Sequence, residues 1–245
     1  MEHPLEGQVA LVTGAGRRLG RAIALTLGRA GADVIVNYSA SKSGAARAAQ
    51  EIARLGRHSL ALAADVSKPA QVRGMFRAVE RRFGRLDLLV NNAGIFFPAR
   101  WDQLTENDWD RILGVNVKGT FFCAQAAARL MMLRKRGRII NISSLGGIRA
   151  WPDYTHYCAS KAAVIMLTRC LAKALAPHIL VNSVAPGTIL FPDEKPSALT
   201  RKIIRSTPCR RAGRPEDISD MVLYLAANGE FITGQTFVVD GGQSA

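Results

Sequence analysis

Seven short apolar runs punctuate the chain: QVALVT (8–13), DVIVNY (33–38), SLALAA (59–64), LDLLVN (86–91), GRIINIS (137–143), ILVNSVA (179–185) and TFVVDG (236–241). Six of them are too apolar for a strand with one wet face. Strands that are apolar on both faces belong to parallel sheets covered by helices. Between them lie helix-length segments at 19–30, 42–55, 69–83, 107–134 and 157–176. This alternation predicts βαβ units wound right-handedly into one doubly wound α/β sheet of about seven parallel strands, with helices on both faces. No repeat, low-complexity tract or linker divides the 245 residues, so a single domain over 1–245 is expected. The segment 188–214 carries Pro192, Pro196, Pro208 and mixed charge, the composition of a mobile substrate loop. The stretch AAVIMLTRCLAKALA within 157–176 is apolar over more than one face, which predicts cover from a second subunit; a homotetramer is expected.

Composition adds exclusions. With 48% hydrophobic and 21% charged residues this is ordinary globular material. No apolar run approaches the roughly 18 residues of a membrane span. The opening MEHPLEGQVALV lacks the basic start and apolar core of a signal peptide, so a cytoplasmic location is expected and no membrane partner. Cys123, Cys158, Cys170 and Cys209 show no C-x-x-C spacing and the histidines are scattered, so no metal site is expected. The net charge of +14 raises nucleic acid or an anionic ligand as partner. No nucleic-acid-binding motif accompanies the charge, and a phosphate-rich small molecule is the expected partner.

The first strand runs into VTGAGRRLG (12–20), where a glycine loop opens a helix. Backbone N–H groups and a helix N-terminus at that turn bind pyrophosphate. Gly14 suits the tight turn and Gly20 close helix–strand packing. Leu19, however, stands where G-x-G-x-x-G needs its last glycine, and two arginines fill the centre. Cations are poorly placed at the positive end of a helix unless an anion joins them. The second strand ends NYSAS, with no carboxylate for a ribose 2′-hydroxyl; Arg17, Ser39 and Ser41 suit a 2′-phosphate instead. Further on, Tyr157 and Lys161 share a helix face at i, i+4, thirteen residues beyond Ser144 at a strand end.

Taken in order, Thr13-Gly14 with Gly20, NNAG (91–94), Asn116 in NVKG, Ser144, Tyr157-x-x-x-Lys161, PG (186–187) and DGG (240–242) resemble the short-chain dehydrogenase/reductase family along essentially the whole chain. The resemblance implies a Rossmann fold and NADP(H) as cofactor. It implies that Gly14, Arg17, Arg18, Leu19 and Gly20 cradle the phosphates, with Asn37, Tyr38 and Ser39 at the ribose. Asp65 and Val66 would meet the adenine, and Asn92, Ala93 and Gly94 would line the middle of the cofactor. Tyr157, Lys161, Pro186, Gly187 and Thr188 would complete its nicotinamide end. Tyr157 would be the general acid in reduction, since an adjacent ammonium lowers a phenol's pKa. Lys161 would supply that ammonium, Ser144 would hydrogen-bond the carbonyl oxygen, and Asn116 would hold a water leading to the lysine. Ser143 is the neighbouring alternative; the spacing to Tyr157 favours Ser144.

Three functions compete. The first is an NADPH-dependent carbonyl reductase of the 3-oxoacyl-[acyl-carrier-protein] type, taking an acyl thioester, with LRKRGR (133–138) facing an acidic carrier protein. A solvated helix end explains that run equally well. The second is a pteridine reductase. Arg18 stands where the family usually has glycine and resembles that subgroup, as do Phe96 in NNAGIFFP and Leu190–Phe191 in APGTILFPDE. Pteridine reductases, however, typically carry aspartate at the position of Ser144. Arg18, Phe96, Ser144, Trp151, Leu190 and Phe191 are the candidate substrate residues. The third is a non-catalytic NADP-binding regulator, suggested by the charge and opposed by the intact Ser144, Tyr157 and Lys161.

Overall fold

The computed structural model describes residues 3–245. Its centre is a seven-stranded sheet, all parallel, in the order β3-β2-β1-β4-β5-β6-β7. The strands are β1 Val9–Val12, β2 Asp33–Tyr38, β3 Ser59–Ala63, β4 Leu88–Asn91, β5 Gly137–Ile142, β6 Ile179–Pro186 and β7 Thr236–Val239. Every predicted strand is present within two residues at either end. β1 shows why the sheet is buried twice. Ala10 and Val12 enter one apolar cluster, and Val9 and Leu11, pointing the other way, enter the second. Only the outermost strands, β3 and β7, are partly exposed along their length.

On the first face lie α1 Arg18–Arg29, α2 Lys42–Arg54 and α8 Pro215–Ala227; on the second lie α3 Pro69–Phe83, α5 Thr120–Met132 and α6 Thr155–Leu175. The long helix expected over 107–134 is built in three parts. α4 Glu106–Leu113 is started by a Thr105–Asp108 capping box, a π-helical stretch spans Gly114–Gly119, and α5 follows. The segment 188–214 is not loop throughout, because it contains α7 Ala198–Ser206 and an Ile189–Gly213 bridge. No helix among the described residues is long and apolar enough to cross a membrane.

Strand order reverses between β1 and β4. At such a switch point the two following connections diverge and leave a crevice beyond the strand ends. The Gly14 loop and the Asn92–Gly94 turn both fall there.

Candidate active site

The β1–α1 loop is held open from behind. Asn37, buried at the end of β2, accepts from Gly14 N through Oδ1 at 3.2 Å and donates through Nδ2 to Ala64 O at 3.0 Å. Thr13 Oγ1 accepts from the backbone N–H groups of Asn92 and Ala93 at 3.0 and 2.9 Å, and Asn92 Nδ2 returns a bond to Thr13 O at 2.9 Å. Gly14 has φ +62°. A side chain on Gly20 would lie 2.5 Å from Gly14 O, so glycine is a packing requirement there. Beyond these struts, the backbone N–H groups of Gly16, Arg17, Arg18, Leu19 and Gly20 have no intramolecular acceptor among the described residues. Five successive free donors at a helix N-terminus fit a pyrophosphate.

These donors open on a cleft of about 530 Å³. Gly14, Arg17, Arg18, Leu19, Gly20, Asn37, Tyr38, Ser39, Asp65, Val66, Asn92, Ala93 and Gly94 all line it, as expected from the sequence. Asp65 also serves the turn before α3, accepting from Ser67 N at 2.9 Å and Ser67 Oγ at 2.7 Å. Gly16, Ala40, Ser41, Ala64, Ile95, Arg111, Val115 and Phe191 complete the lining. Ser41 stands out in the sequence as a small hydroxyl near the β2 end. Arg111 carries no motif signal, since only the packing of α4 beside the β4 turn brings it there.

Tyr157, Lys161, Pro186, Gly187 and Thr188 lie outside this cleft. Thr188 borders a separate hollow of about 80 Å³ with Asp240 and Gly241, and its N–H donates to Gln243 Oε1 at 3.2 Å. Gly187 packs against Asp240, a Cβ there falling 2.6 Å from the Asp240 Cβ.

Ser144 leaves β5 with its Oγ accepting from Gly146 N at 3.0 Å. Ser143 points into the core instead, donating to Val184 O and accepting from Ser183 Oγ at 2.6 Å, which decides between the two serines. Burial pushes the Tyr157 phenol up to about 12, with hydrogen bonding to Ser144 pulling partly the other way. Lys161 is buried and held down at about 8 for the same reason, since desolvation disfavours its charged form. For the phenol, burial outweighs any lowering by the lysine. Its Nζ donates to Ile142 O at 2.8 Å and stands 5.8 Å from the Tyr157 ring centroid.

Asn116 sits in the π-helical stretch, a local widening frequent at functional positions. Its Oδ1 accepts from Ile95 N at 2.9 Å, and its Nδ2 donates to Ile95 O and to Ser160 Oγ, which bonds Tyr157 O at 2.7 Å. The side chain thus ties the β4 turn to the first turns of α6.

The substrate candidates fall into two groups. Phe96, Trp151 and the unforeseen Tyr154 enclose Tyr157. Phe96 stacks on Tyr154 at 4.5 Å and meets Tyr157 edge-on at 4.7 Å, while Trp151 lies parallel to Tyr157 at 6.2 Å. Tyr154 was readable as a residue three before Tyr157, on the same side of a helical start. Arg18 and Phe191 form the second group, on the cofactor cleft, with Leu190 beside them paired to Gly213 O. Phe97 takes no part; it packs on buried His156 at 4.8 Å, with the Arg111 guanidinium 5.5 Å from its ring centroid.

The basic run 133–138 lies before β5, at the opposite end of that strand from Ser144. Arg138 within it is committed internally, donating to Ala226 O at the end of α8. Among the described residues no cluster is suited to a metal ion.

A family model described as enoyl-(acyl carrier protein) reductase matches residues 14–244. A Picea abies protein named short-chain type dehydrogenase/reductase is 40% identical, over 98% of this chain and 93% of that one. The chain belongs to the short-chain dehydrogenase/reductase family. It is therefore an oxidoreductase, with the expected single-domain Rossmann-like fold. Another family relative, a Synechocystis 3-oxoacyl-[acyl-carrier-protein] reductase, is 39% identical over 97% of each chain. A blue fluorescent protein from a metagenomic library, solved with NADPH, superposes with a TM-score of 0.94 at 36% identity, over 99% of this chain and all of that one.

Proposed function

We propose that this protein is an NADP(H)-dependent carbonyl reductase of the 3-oxoacyl-thioester type. The observation that carries the reading is the meeting of Ser144 and a protonated, half-buried Tyr157 beside a cleft whose loop presents five free N–H donors. The 39% identity to a 3-oxoacyl-[acyl-carrier-protein] reductase supports the substrate class, and the NADPH complex of a structural neighbour supports the cofactor. NADPH, when bound, supplies hydride to the substrate carbon. Arg17, Ser39 and Ser41 would hold its 2′-phosphate, and the Gly14–Gly20 loop its pyrophosphate.

Tyr157 gives its proton to the carbonyl oxygen. A phenol near 12 is fully protonated at neutral pH, so the group is already in the form that reduction requires. Ser144 donates a hydrogen bond that strengthens as charge builds on that oxygen. Lys161, anchored on Ile142 O, sits behind the phenol as the next proton source. Asn116 fixes the turn and helix that carry these groups.

A second reading, reduction of a planar heterocycle such as a dihydropterin, is favoured by one observation. Phe96 is 55% exposed and lies against Tyr157, offering a ring face at the reacting centre. The discriminating experiment compares NADPH oxidation with an acetoacetyl thioester, a dihydropterin and a simple ketone or quinone. Turnover of the thioester at least tenfold above the others supports the first reading; preference for the dihydropterin replaces it with the second. We also propose a homotetramer, because Met166 on α6 and Leu133 beyond α5 remain exposed on outer faces.

A further inference from the structure

Arg18 has φ +52°, in the left-handed region where a side chain is strained and glycine is not. Two contacts use the arginine placed there. Its guanidinium covers the Phe191 ring at 4.2 Å from the centroid, and it pairs with the Glu194 carboxylate. The far side of this clasp is a closed turn: Glu194 N donates to Phe191 O at 2.9 Å, and Glu194 Oε2 accepts from Phe191 N at 3.4 Å. The segment is anchored otherwise at its two ends, by the pairing of Ile189 and Leu190 with Gly213 and by buried Thr207 just past α7, whose Oγ1 accepts from Gln243 Nε2 at 3.0 Å. The helix that follows, α7, has no buried residue, and its Leu199 is largely exposed. Between those ends, the first turn of the segment, Phe191–Glu194, is held by Arg18. Phe191 meanwhile forms part of the wall of the cofactor cleft.

We propose that the Arg18–Phe191–Glu194 clasp is a gate on cofactor exchange. Arg18 acts as a positioning residue for the 191–206 segment, and its cation is shared. The clasp closes over the loop whether or not an anion sits there, so entry and exit of the cofactor both wait on its opening. This inference rests on the NADP(H) reading above. It explains why a strained arginine stands at a turn that glycine would make without strain.

The test uses full-length protein, with Glu194→Gln to cut the clasp on the segment side and Arg18→Gly as the partner variant that suits the backbone. NADPH association and dissociation are followed by stopped-flow fluorescence, and amide hydrogen exchange of residues 191–206 is followed in the cofactor-free protein. Glu194→Gln cuts the ion pair and leaves the cation–π contact, and an exposed ion pair corresponds to up to about fivefold. A gate predicts that Glu194→Gln raises both rate constants by about that factor, leaving Kd nearly unchanged, and speeds exchange across 191–206. Adding Glu194→Gln to Arg18→Gly then has no further effect on that exchange. If Glu194 acts only as a nearby negative charge, its neutralisation slows dissociation and tightens Kd, which overturns the gate. Additive effects in the double variant also overturn it. Wild-type protein that does not bind NADPH defeats the cofactor reading, whereas normal binding with rates and exchange unmoved by Glu194→Gln defeats the gate alone.

Discussion

The Lys161 ammonium nitrogen lies 5.8 Å from the centre of the Tyr157 ring and gives its hydrogen bond to Ile142 O, not to the phenol. Each group is thereby pushed towards its neutral form by burial, the lysine down to about 8 and the tyrosine up to about 12. The consequence is a stability profile of definite shape. Between pH 8 and the ordinary lysine value of about 10.4 the unfolded chain binds the proton that the folded chain has lost, so stability rises with pH through that window. Above about 10 the unfolded tyrosine ionises while the folded one does not, and stability falls again. Lys161→Met is expected to abolish the rise, of the order of 3 kcal/mol. Urea melts of both proteins from pH 7.5 to 10.5 measure it; parallel curves would show that Lys161 is not the source.

Tyr157→Phe removes the proton donor and keeps the ring against Phe96 and Trp151. It is expected to lower kcat by about 10²–10⁴ with NADPH affinity within threefold, the signature of lost general acid catalysis. Ser144→Ala is expected to cost about 10²–10³, as for removal of one oxyanion donor. Steady-state kinetics alongside fluorescence titration separate the two terms. Full turnover by Tyr157→Phe would end the proposed mechanism.

Much of this was legible in the sequence, for a physical reason. Parallel strands buried on both faces must be apolar throughout, so β1, β2, β4, β5 and β6 declare themselves, and the loop that follows β1 is then located by topology alone. Ser144 is separable from Ser143 by its spacing to Tyr157 as well as by the bonds it makes. What depended on packing between distant segments was not readable. Arg111 reaches the cleft only through the placement of α4, and Glu194 meets Arg18 across 176 positions. The π-helical stretch around Asn116 also left no trace, because six residues, Gly114–Gly119, are too few to show a period of their own. The balance between burial and the lysine at Tyr157 was not readable either. Sequence spacing places two residues on one face without saying whether their polar ends meet.

Gly20→Ala tests the close approach of helix and loop. Its methyl group would lie 2.5 Å from Gly14 O, 3.0 Å from Ala15 Cα and hard against Asn92 Nδ2, all parts of the struts that hold the loop open. Overpacking of this kind costs about 1–3 kcal/mol, and the shifted N–H groups should weaken NADPH binding at least tenfold. Thermal melts and fluorescence titration report the two effects. An unchanged melting temperature would mean that the loop gives way freely.

The side chain of Arg17 differs from its neighbour's in having no hydrogen-bond or ion-pair partner among the described residues, although it lines the same cleft. A cation left free at a helix N-terminus, beside Ser39 and Ser41, is the group best placed to meet a 2′-phosphate. Hydrogen bonds to charged groups contribute about 1.5–3 kcal/mol, so Arg17→Ala should weaken NADPH by roughly 10- to 150-fold while leaving NADH affinity almost unchanged. Ser39→Asp added to it should go further, because a carboxylate at the end of β2 accepts from the 2′-hydroxyl of NADH and repels a phosphate. The double variant is therefore expected to prefer NADH. Affinities for both nucleotides, measured at two salt concentrations, decide the matter: the wild-type preference for NADPH should shrink as salt rises, and that of the double variant should not. Equal loss of both nucleotides in Arg17→Ala would place the arginine on the shared pyrophosphate and leave the 2′-phosphate to the serines.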